Sequence, residues 1–388
     1  MADLTLNISA PGGLWMIIIN WINSGVLNFA WTIILFTLLI KVVLSPFDFL
    51  IKYSTKKTTL IQQKCAPQIA KLQKKYGNNQ QQFSVMQQNI YKKEGLNMMS
   101  SCLIMLVNLV VTILIFFSIY TTLREASAYY AIKQYQELNT AYTNAYEKVL
   151  DDRNIGYDRT ADYSENEAMK AEIATAKQDE SVKTAVMEKW NEVKDSWLWI
   201  TNIWVLDGRT DPLPTYDGLT KLANNAGGLF NSGVKDSYVE YVKGIKESDY
   251  NEVRSTISSS LNGWNGYYIL VVLAGGVTFL SSWVNERSNS LKRKKEPKQK
   301  TNQFIKSSAP NQTNNPAGQS STAMKVMKFA LPAVMIIFVL TSSSAFGIYI
   351  VAQSLIGIGM SYLINLIVDK LTHKKQLEVI EYLDKIER

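Results

Sequence analysis

Long apolar runs alternate with polar stretches along this chain. The runs are residues 31–50, 98–123, 266–284 and 329–368, and the last can hold two spans with a break near Thr341–Gly347. A helix needs about 20 apolar residues to cross a hydrocarbon core about 30 Å thick. The pattern therefore predicts five transmembrane helices, and the predicted fold class is an all-α integral membrane protein. Residues 14–27 are apolar but shorter, and they predict an interfacial helix within an external segment, residues 1–30. The alternative is that they form part of an uncleaved anchor.

One charge interrupts the first run. Lys41 lies ten residues after Trp31, which marks the predicted outer edge of the span, and ten residues of helix rise about 15 Å. The ammonium group is thus expected near the middle of the bilayer, where a lysine costs about 2.5–3.5 kcal/mol on insertion scales. A cost of that size predicts a partner, a polar cavity or a function. Pro46 lacks a backbone donor and is expected to kink the inner end of this span.

The polar segment after the first span, residues 51–97, has the pattern of a helical hairpin. Gly77-Asn78-Asn79 is a turn signal between two helical arms. The arms carry apolar residues at helical spacing, which are Ile61, Cys65, Ile69, Leu72 and Tyr76 in the first arm and Phe83, Met86 and Ile90 in the second. The alternative is a solvated connector, although a passive connector would not need a pattern of this length.

Charge predicts the orientation in the membrane. Residues 50–97 carry nine lysines and one acid, and residues 285–328 carry ten basic residues and two acids. Residues 124–262 carry 16 basic and 23 acidic residues. The positive-inside rule then places the N-terminus outside and the C-terminus inside. The basic segments suit contact with anionic lipid headgroups or RNA on the inner side.

The remaining segments are assigned from composition. Residues 124–265 form a predicted external insertion domain, mainly helical, with loops over 207–234 and one helix over 235–260. Within it, SWLWITNIWV is typical of an interfacial or re-entrant segment at headgroup level. Residues 285–328 read as a basic cytoplasmic linker of disordered composition, and residues 369–388 as a cytoplasmic tail that can extend the fifth span.

The sequence offers little for enzymatic chemistry. Cys65 and Cys102 indicate neither a disulfide framework nor a metal cluster, and His373 is the single histidine. We find no HExxH, GxxxxGK[ST] or GxSxG motif. We expect no catalytic residues, no metal and no cofactor, and we expect a protein that is not an enzyme.

The ordered set of motifs resembles the YidC-type membrane protein insertases of bacteria. The resemblance rests on LLIKVVLSPF, on PQIAKLQKKYGNN with IYKKEGLN and SCLIMLVN, on SWLWI followed after an insertion by YYILVVLAGGVTFL, and on MKVMKFALPAVMIIFVLTSSSAFGIYIVAQSL. These stretches cover roughly residues 14–123, 196–206 and 264–368. No large domain is expected before the first span, as in members from single-membrane bacteria.

The resemblance implies a mechanism and a set of residues. Five spans would enclose a hydrophilic groove, open to the cytoplasm and to lipid, with a basic residue that here corresponds to Lys41. The groove would hold the polar tail of a newly made membrane protein while its apolar helix enters lipid, without nucleotide hydrolysis. The implied groove residues are Lys41, Asn108, Thr112, Ser281, Ser282 and Gln353, and the implied hairpin contact residues are Lys56, Lys57, Lys64, Lys71, Lys74 and Lys75.

The implied location is the bacterial cytoplasmic membrane, and several partners are implied with it. These are nascent membrane proteins, the ribosome, the lipid bilayer, the Sec translocon and the signal recognition particle receptor, with no role for DNA. Three features depart from the family pattern. Lys41 stands where the family usually has arginine, the external insertion is long, and Ile350 replaces a common tryptophan.

Two other hypotheses remain open at the level of sequence. The chain could be a secondary transporter with Lys41 as an ion or substrate site, although such folds usually show internal repeats. It could also be a membrane-anchored external binding protein, for which the basic hairpin would have no use. Asn108 and Thr112 could equally make interhelical hydrogen bonds, which contribute about 0.6 kcal/mol on average.

Overall fold

The computed structural model is built from helices. It describes residues 8–26, 28–76, 79–96, 98–227, 233–258, 260–261, 263–295 and 321–387. Apart from an isolated bridge between Trp197 and Ile200, the regular elements in these residues are α-helices. They are α1 (Leu14–Val26), α2 (Phe29–Tyr76), α3 (Gln80–Lys93), α4 (Met98–Asp152), α5 (Glu167–Lys177), α6 (Glu180–Val193), α7 (Tyr216–Asn225), α8 (Gly233–Gly244), α9 (Glu247–Ser258), α10 (Ile269–Lys295), α11 (Ser321–Thr341) and α12 (Ser344–Glu387).

The chain divides into two compact units. The first unit contains the described residues of Met1–Phe36, Phe116–Ala274 and Ile336–Val351, and the second contains those of Thr37–Ile115, Gly275–Met335 and Ala352–Arg388. Three helices are long and apolar enough to cross a membrane, namely Phe29–Tyr76, Leu106–Asp152 and Ser344–Ile386. The apolar helical stretches Ile269–Val284 and Pro332–Thr341 are shorter. An all-α membrane protein is thus confirmed, and the count of five spans stays a prediction.

The membrane helices do not end where the apolar runs end. The predicted first span, residues 31–50, and the first hairpin arm form one continuous helix, α2, with Pro46 and Pro67 inside it. The predicted second span, residues 98–123, continues to Asp152 as α4. A helix can leave an apolar environment without interruption, because its backbone hydrogen bonds are satisfied within the helix in either environment.

The first unit has a core rich in tyrosine. Trp190, Tyr142, Tyr238 and Tyr250 are among its buried side chains. The helical prediction for the first part of the external insertion is confirmed by α4, α5 and α6. The loop assigned to residues 207–234 was wrong over α7, and residues 235–260 contain parts of two helices, α8 and α9, rather than one.

Aromatic packing joins three apolar helices within the first unit. Phe116 of α4 contacts Phe338 of α11 and Phe346 of α12, with ring centroids 5.6 Å and 5.9 Å apart. Ile350 is buried. Residues Ser342 and Ser343 separate α11 from α12, so the predicted break near Thr341–Gly347 is confirmed.

In the second unit the two hairpin arms pack through a small apolar core. Cys65, Ile69, Tyr91 and Leu96 are buried there, with Ile61, Phe83 and Ile90 against them. Met86 was predicted on the packed face but is 42% exposed, whereas sequence reasoning missed Tyr91 and Leu96.

Some predicted features fall outside the described residues. They are the first seven residues of the external segment, Gly77 and Asn78 of the hairpin turn, and residues 296–320 of the linker. The flanks of the linker are helical rather than irregular, because α10 extends to Lys295 and α11 begins at Ser321. The predicted cytoplasmic tail, residues 369–388, continues α12 to Glu387.

Candidate functional site

Lys41 of α2 lies against a position on α12 that has no side chain. The Nζ atom of the half-buried Lys41 is 3.9 Å from the point that a Cβ atom would occupy at Gly357. A larger residue at 357 would therefore compete with the ammonium group for this space. A Cβ atom at 357 would itself be in ordinary van der Waals contact with the ammonium group, so the competition would come from a side chain longer than that of alanine. Both residues belong to the second unit.

Two further lysines of α2 contact the same helix. Lys52 Nζ donates hydrogen bonds to the backbone oxygen of Ser361 at 2.9 Å and to its Oγ at 2.5 Å. Lys56 Nζ lies 3.8 Å from a carboxylate oxygen of Asp369. We call this contact the lysine seam, which consists of Lys41, Lys52 and Lys56 of α2 with Gly357, Ser361 and Asp369 of α12.

The register of the lysine seam follows from helix geometry. Gly357, Ser361 and Asp369 are four and eight residues apart, and the lysines are eleven and four residues apart. At 3.6 residues per turn the three lysines lie within about 60° of one another on one face of α2, whereas Gly357 and Asp369 are about 120° apart around α12. The seam therefore lines one face of α2 with positive charge, from a site inside the apolar run to the region beyond it.

The predicted groove residues of α10 and α12 belong to the second unit. Ser282 Oγ donates to the backbone oxygen of Thr278, 3.2 Å away. Thr278 Oγ1 and Ser354 Oγ are 3.5 Å apart. The half-buried Gln353 has a buried Oε1 atom without a hydrogen-bond donor among the described residues. Ser281 is also half-buried. A buried amide oxygen of this kind is a costly group that a polar ligand could satisfy.

The two candidate residues of α4 differ in exposure. Asn108 is half-buried and Thr112 is exposed. Asn108 and Thr112 stay predictions as groove residues, and Pro46 stays a prediction as a kink, although it does lie inside α2.

The predicted hairpin lysines fall into two groups. Lys57, Lys71, Lys74 and Lys75 are exposed, while Lys56 and Lys64 are half-buried. Lys64 Nζ binds Glu94 Oε2 at 2.6 Å and lies 5.5 Å from the ring centroid of Tyr382 in α12. The hydrogen bond with Glu94 raises the pKa of Lys64, and burial raises the pKa of the Cys65 thiol. Lys56 and Lys64 therefore hold helices together within the second unit as well as carrying charge.

Sequence reasoning missed Gly357, Ser354, Ser361 and Thr278. Each residue is small and unremarkable in an apolar helix, so composition gave no reason to select it. One signal was available. Ser354, Gly357 and Ser361 recur every three or four residues on a helix predicted to cross the membrane. Among the described residues, no group of three or more His, Cys, Asp or Glu side chains could hold a metal ion.

Comparison with known proteins identifies relatives of one part of the chain. Residues 21–153 match the model of the 60Kd inner membrane protein family. This segment includes Lys41, Asn108, Thr112 and the hairpin lysines, but not Ser281, Ser282 or Gln353.

Curated relatives named membrane protein insertase YidC match over similar lengths. The chain is 32% identical over 110 residues to the protein of Wolinella succinogenes, which is 28% of this chain and 19% of that relative. It is 33% identical over 121 residues to the protein of Pseudomonas fluorescens strain Pf-5, which is 30% of this chain and 20% of that relative. It is 30% identical over 110 residues to the protein of Helicobacter pylori, which is 28% of this chain and 19% of that relative. The matches thus span about a fifth of the length of these relatives. No solved structure matches the chain.

Proposed function

We propose that this chain, whose residues 21–153 belong to the YidC-type family, is an insertase of the bacterial cytoplasmic membrane. Its substrates would be newly made membrane proteins with short polar tails. One observation carries the proposal. The matched segment contains a lysine inside an apolar helix, and the ammonium group of that lysine lies against Gly357 in a contact lined by further polar residues.

The lysine seam supports a route for a polar tail. A polar segment crosses hydrocarbon at high cost because its hydrogen-bonding groups lose water. A hydrophilic groove around Lys41 would lower that cost, and Asn108, Thr112, Ser281, Ser282 and Gln353 are the residues we propose to line it. A fixed positive charge would attract an acidic tail.

The energy for the step would come from the substrate itself. Partitioning of an apolar helix into lipid is favourable, at about 25 cal/mol for each Å² of apolar surface removed from water. The membrane potential adds about 2.3 kcal/mol per charge per 100 mV for an acidic tail moving outward. Nucleotide hydrolysis is therefore not required in the proposed mechanism.

The proposed topology follows from the charge distribution. The N-terminus and residues 124–265 would lie outside, and the hairpin and the C-terminal tail would lie in the cytoplasm. In this orientation the exposed Lys57, Lys71, Lys74 and Lys75 face the side on which proteins are made. They are proposed contacts for nascent chains, ribosomes and anionic lipid, with the Sec translocon and the signal recognition particle receptor as further proposed partners.

Reconstitution tests the proposal directly. The purified full chain is placed in vesicles of phosphatidylethanolamine and phosphatidylglycerol, and a single-span substrate with a short tail is added without nucleotide. Protection of the tail from external protease reports insertion. We expect more protected tail than in empty vesicles. Equal protection in the two would refute the proposed function.

A further inference from the structure

We propose that the turn formed by Trp197, Leu198, Trp199 and Ile200, here called the Trp turn, inserts its tip into the lipid leaflet at which α2 begins. This is a lipid-binding surface of the external insertion, and it does not depend on insertase activity. Four observations carry the proposal: the geometry of the turn, its links to two apolar helices, its aromatic neighbours and the lipid-facing surface beside it.

The Trp turn is a tight two-residue turn with a leucine at its tip. The backbone N–H of Trp197 donates to the oxygen of Ile200 at 2.9 Å, and that of Ile200 donates to the oxygen of Trp197 at 2.8 Å. Leu198 has φ of 51° and is 70% exposed. A glycine or an asparagine would adopt this left-handed conformation with less strain. The turn therefore presents a large apolar side chain at a position where the backbone favours a small or polar residue.

Hydrogen bonds attach the residues on either side of the turn to the starts of two helices. Asn28 Nδ2, one residue before α2, donates to the backbone oxygen of Ser196 at 3.4 Å. The N–H groups of Ser344 and Ala345, at the start of α12, donate to the oxygens of Val205 and Ile203, each at 2.8 Å. Both α2 and α12 are long and apolar enough to cross a membrane. A segment attached to the ends of two such helices lies at the edge of the bilayer.

The aromatic neighbours of the tip are those of an interfacial site. The Trp197 ring lies 6.0 Å from that of Trp199 and 6.1 Å from that of Trp31 in the first turn of α2. Trp31 is 51% exposed. Tryptophan is enriched at the level of lipid headgroups because its ring is amphipathic. A leucine exposed beside these tryptophans would reach the acyl chains.

The surface next to the turn identifies lipid as the occupant. Leu35 of α2, one turn of helix below Trp31, is exposed and apolar, as expected for a side chain that faces acyl chains. Through the contact between Trp197 and Trp31, the Trp turn adjoins a surface of α2 that lipid covers in a membrane protein. A second protein is not needed to account for the exposure of Leu198.

Fluorescence quenching tests the position of the tip. Cys65→Ser and Cys102→Ser remove the native thiols of the full chain, and Leu198→Cys places an environment-sensitive fluorophore at the tip. The protein is reconstituted in phosphatidylethanolamine and phosphatidylglycerol vesicles with nitroxides on the acyl chains. We expect a blue-shifted emission and loss of fluorescence to the nitroxide. The control is a label at Lys170→Cys on the exposed surface of α5, which should show neither effect.

A second position keeps the test valid if the tip variant disturbs the turn. Ser196 is exposed and uses its backbone oxygen, rather than its side chain, to bind Asn28, so Ser196→Cys leaves the turn unchanged. A label there should be quenched more by a headgroup nitroxide than by one deep in the acyl chains. Circular dichroism checks that both variants keep their helix content. Labels at 196 and 198 that are quenched no more than the label at 170 would overturn the proposal, whether or not the protein inserts substrates.

Discussion

The charge of Lys41 can be tested by varying the charge of the substrate and of the protein together. We consider Lys41→Met, which removes the charge, Lys41→Glu, which reverses it, and Lys41→Arg, which keeps it. Each variant is combined with single-span substrates whose tails carry zero, one or two aspartates. Because both charges change independently, general damage to the protein is separated from a loss of attraction.

The structure sets the size of the expected effect. The Lys41 ammonium lies 3.9 Å from the Cβ position of Gly357, so a carboxylate that passes along this face of α12 can come within about 4 Å of it. Two unit charges at that distance interact by about 1 kcal/mol in water and by about 4 kcal/mol at an effective dielectric constant of about 20. Since about 1.4 kcal/mol changes a rate tenfold, each aspartate should speed insertion by at least about fivefold in the wild type.

The assay measures the rate of tail protection in vesicles without a membrane potential. We expect the logarithm of the rate to rise with tail charge for the wild type and Lys41→Arg. It should be flat for Lys41→Met and should fall for Lys41→Glu. The same dependence on tail charge in the wild type and Lys41→Met would refute a role for this charge, even if every variant were slower.

Three further predictions concern packing and pH. Gly357→Leu should abolish the dependence on tail charge, because it fills the space beside the ammonium, whereas Gly359→Leu should keep it, because nothing lies within 4 Å of the Cβ position there. Trp190→Ala should lower the free energy of unfolding by about 3–5 kcal/mol in pulse proteolysis, because the side chain is 1% exposed in the core of the first unit. A double-mutant cycle on Lys64 and Glu94 should give at most about 1 kcal/mol near neutral pH, because both side chains are about one-third exposed. The raised pKa of Lys64 means that this coupling is complete below the ordinary lysine pKa and disappears as pH rises through the raised one, so equal coupling above that pH would contradict the assignment.

The two units contain different proposed sites. The lysine seam and the hairpin core lie in the second unit, and the Trp turn lies in the first. The Trp turn depends on residues of the external insertion, Leu198 among them, that lie outside the segment matched to the 60Kd inner membrane protein family. Its proposed role therefore rests on residues outside the matched segment, whereas Lys41 lies within that segment.

The sequence by itself determined the class of the protein. Apolar runs report membrane helices directly, because the requirement is length and composition within one segment. Lys41 was identifiable for the same reason, since one charge in such a run has a large local cost. The helix α7 was missed because the glycines and prolines around it indicated loops. Thr215 nevertheless marks the start of α7 in the sequence, because it is the N-cap residue. Its Oγ1 accepts a hydrogen bond from the Gly218 N–H at 3.1 Å.

Only the tertiary structure decided which residues meet. Lys52 and Ser361 are 309 residues apart in sequence, and nothing local to either one indicates the other. The same holds for Lys41 and Gly357 and for the hydrogen bonds that join Ile203 and Val205 to the start of α12. Helical periodicity gives the face on which a side chain lies but not the helix that packs against that face. The sequence thus identified a charge that is costly inside a membrane helix. The fold showed which glycine lies beside that charge and that two further lysines share its face of α2.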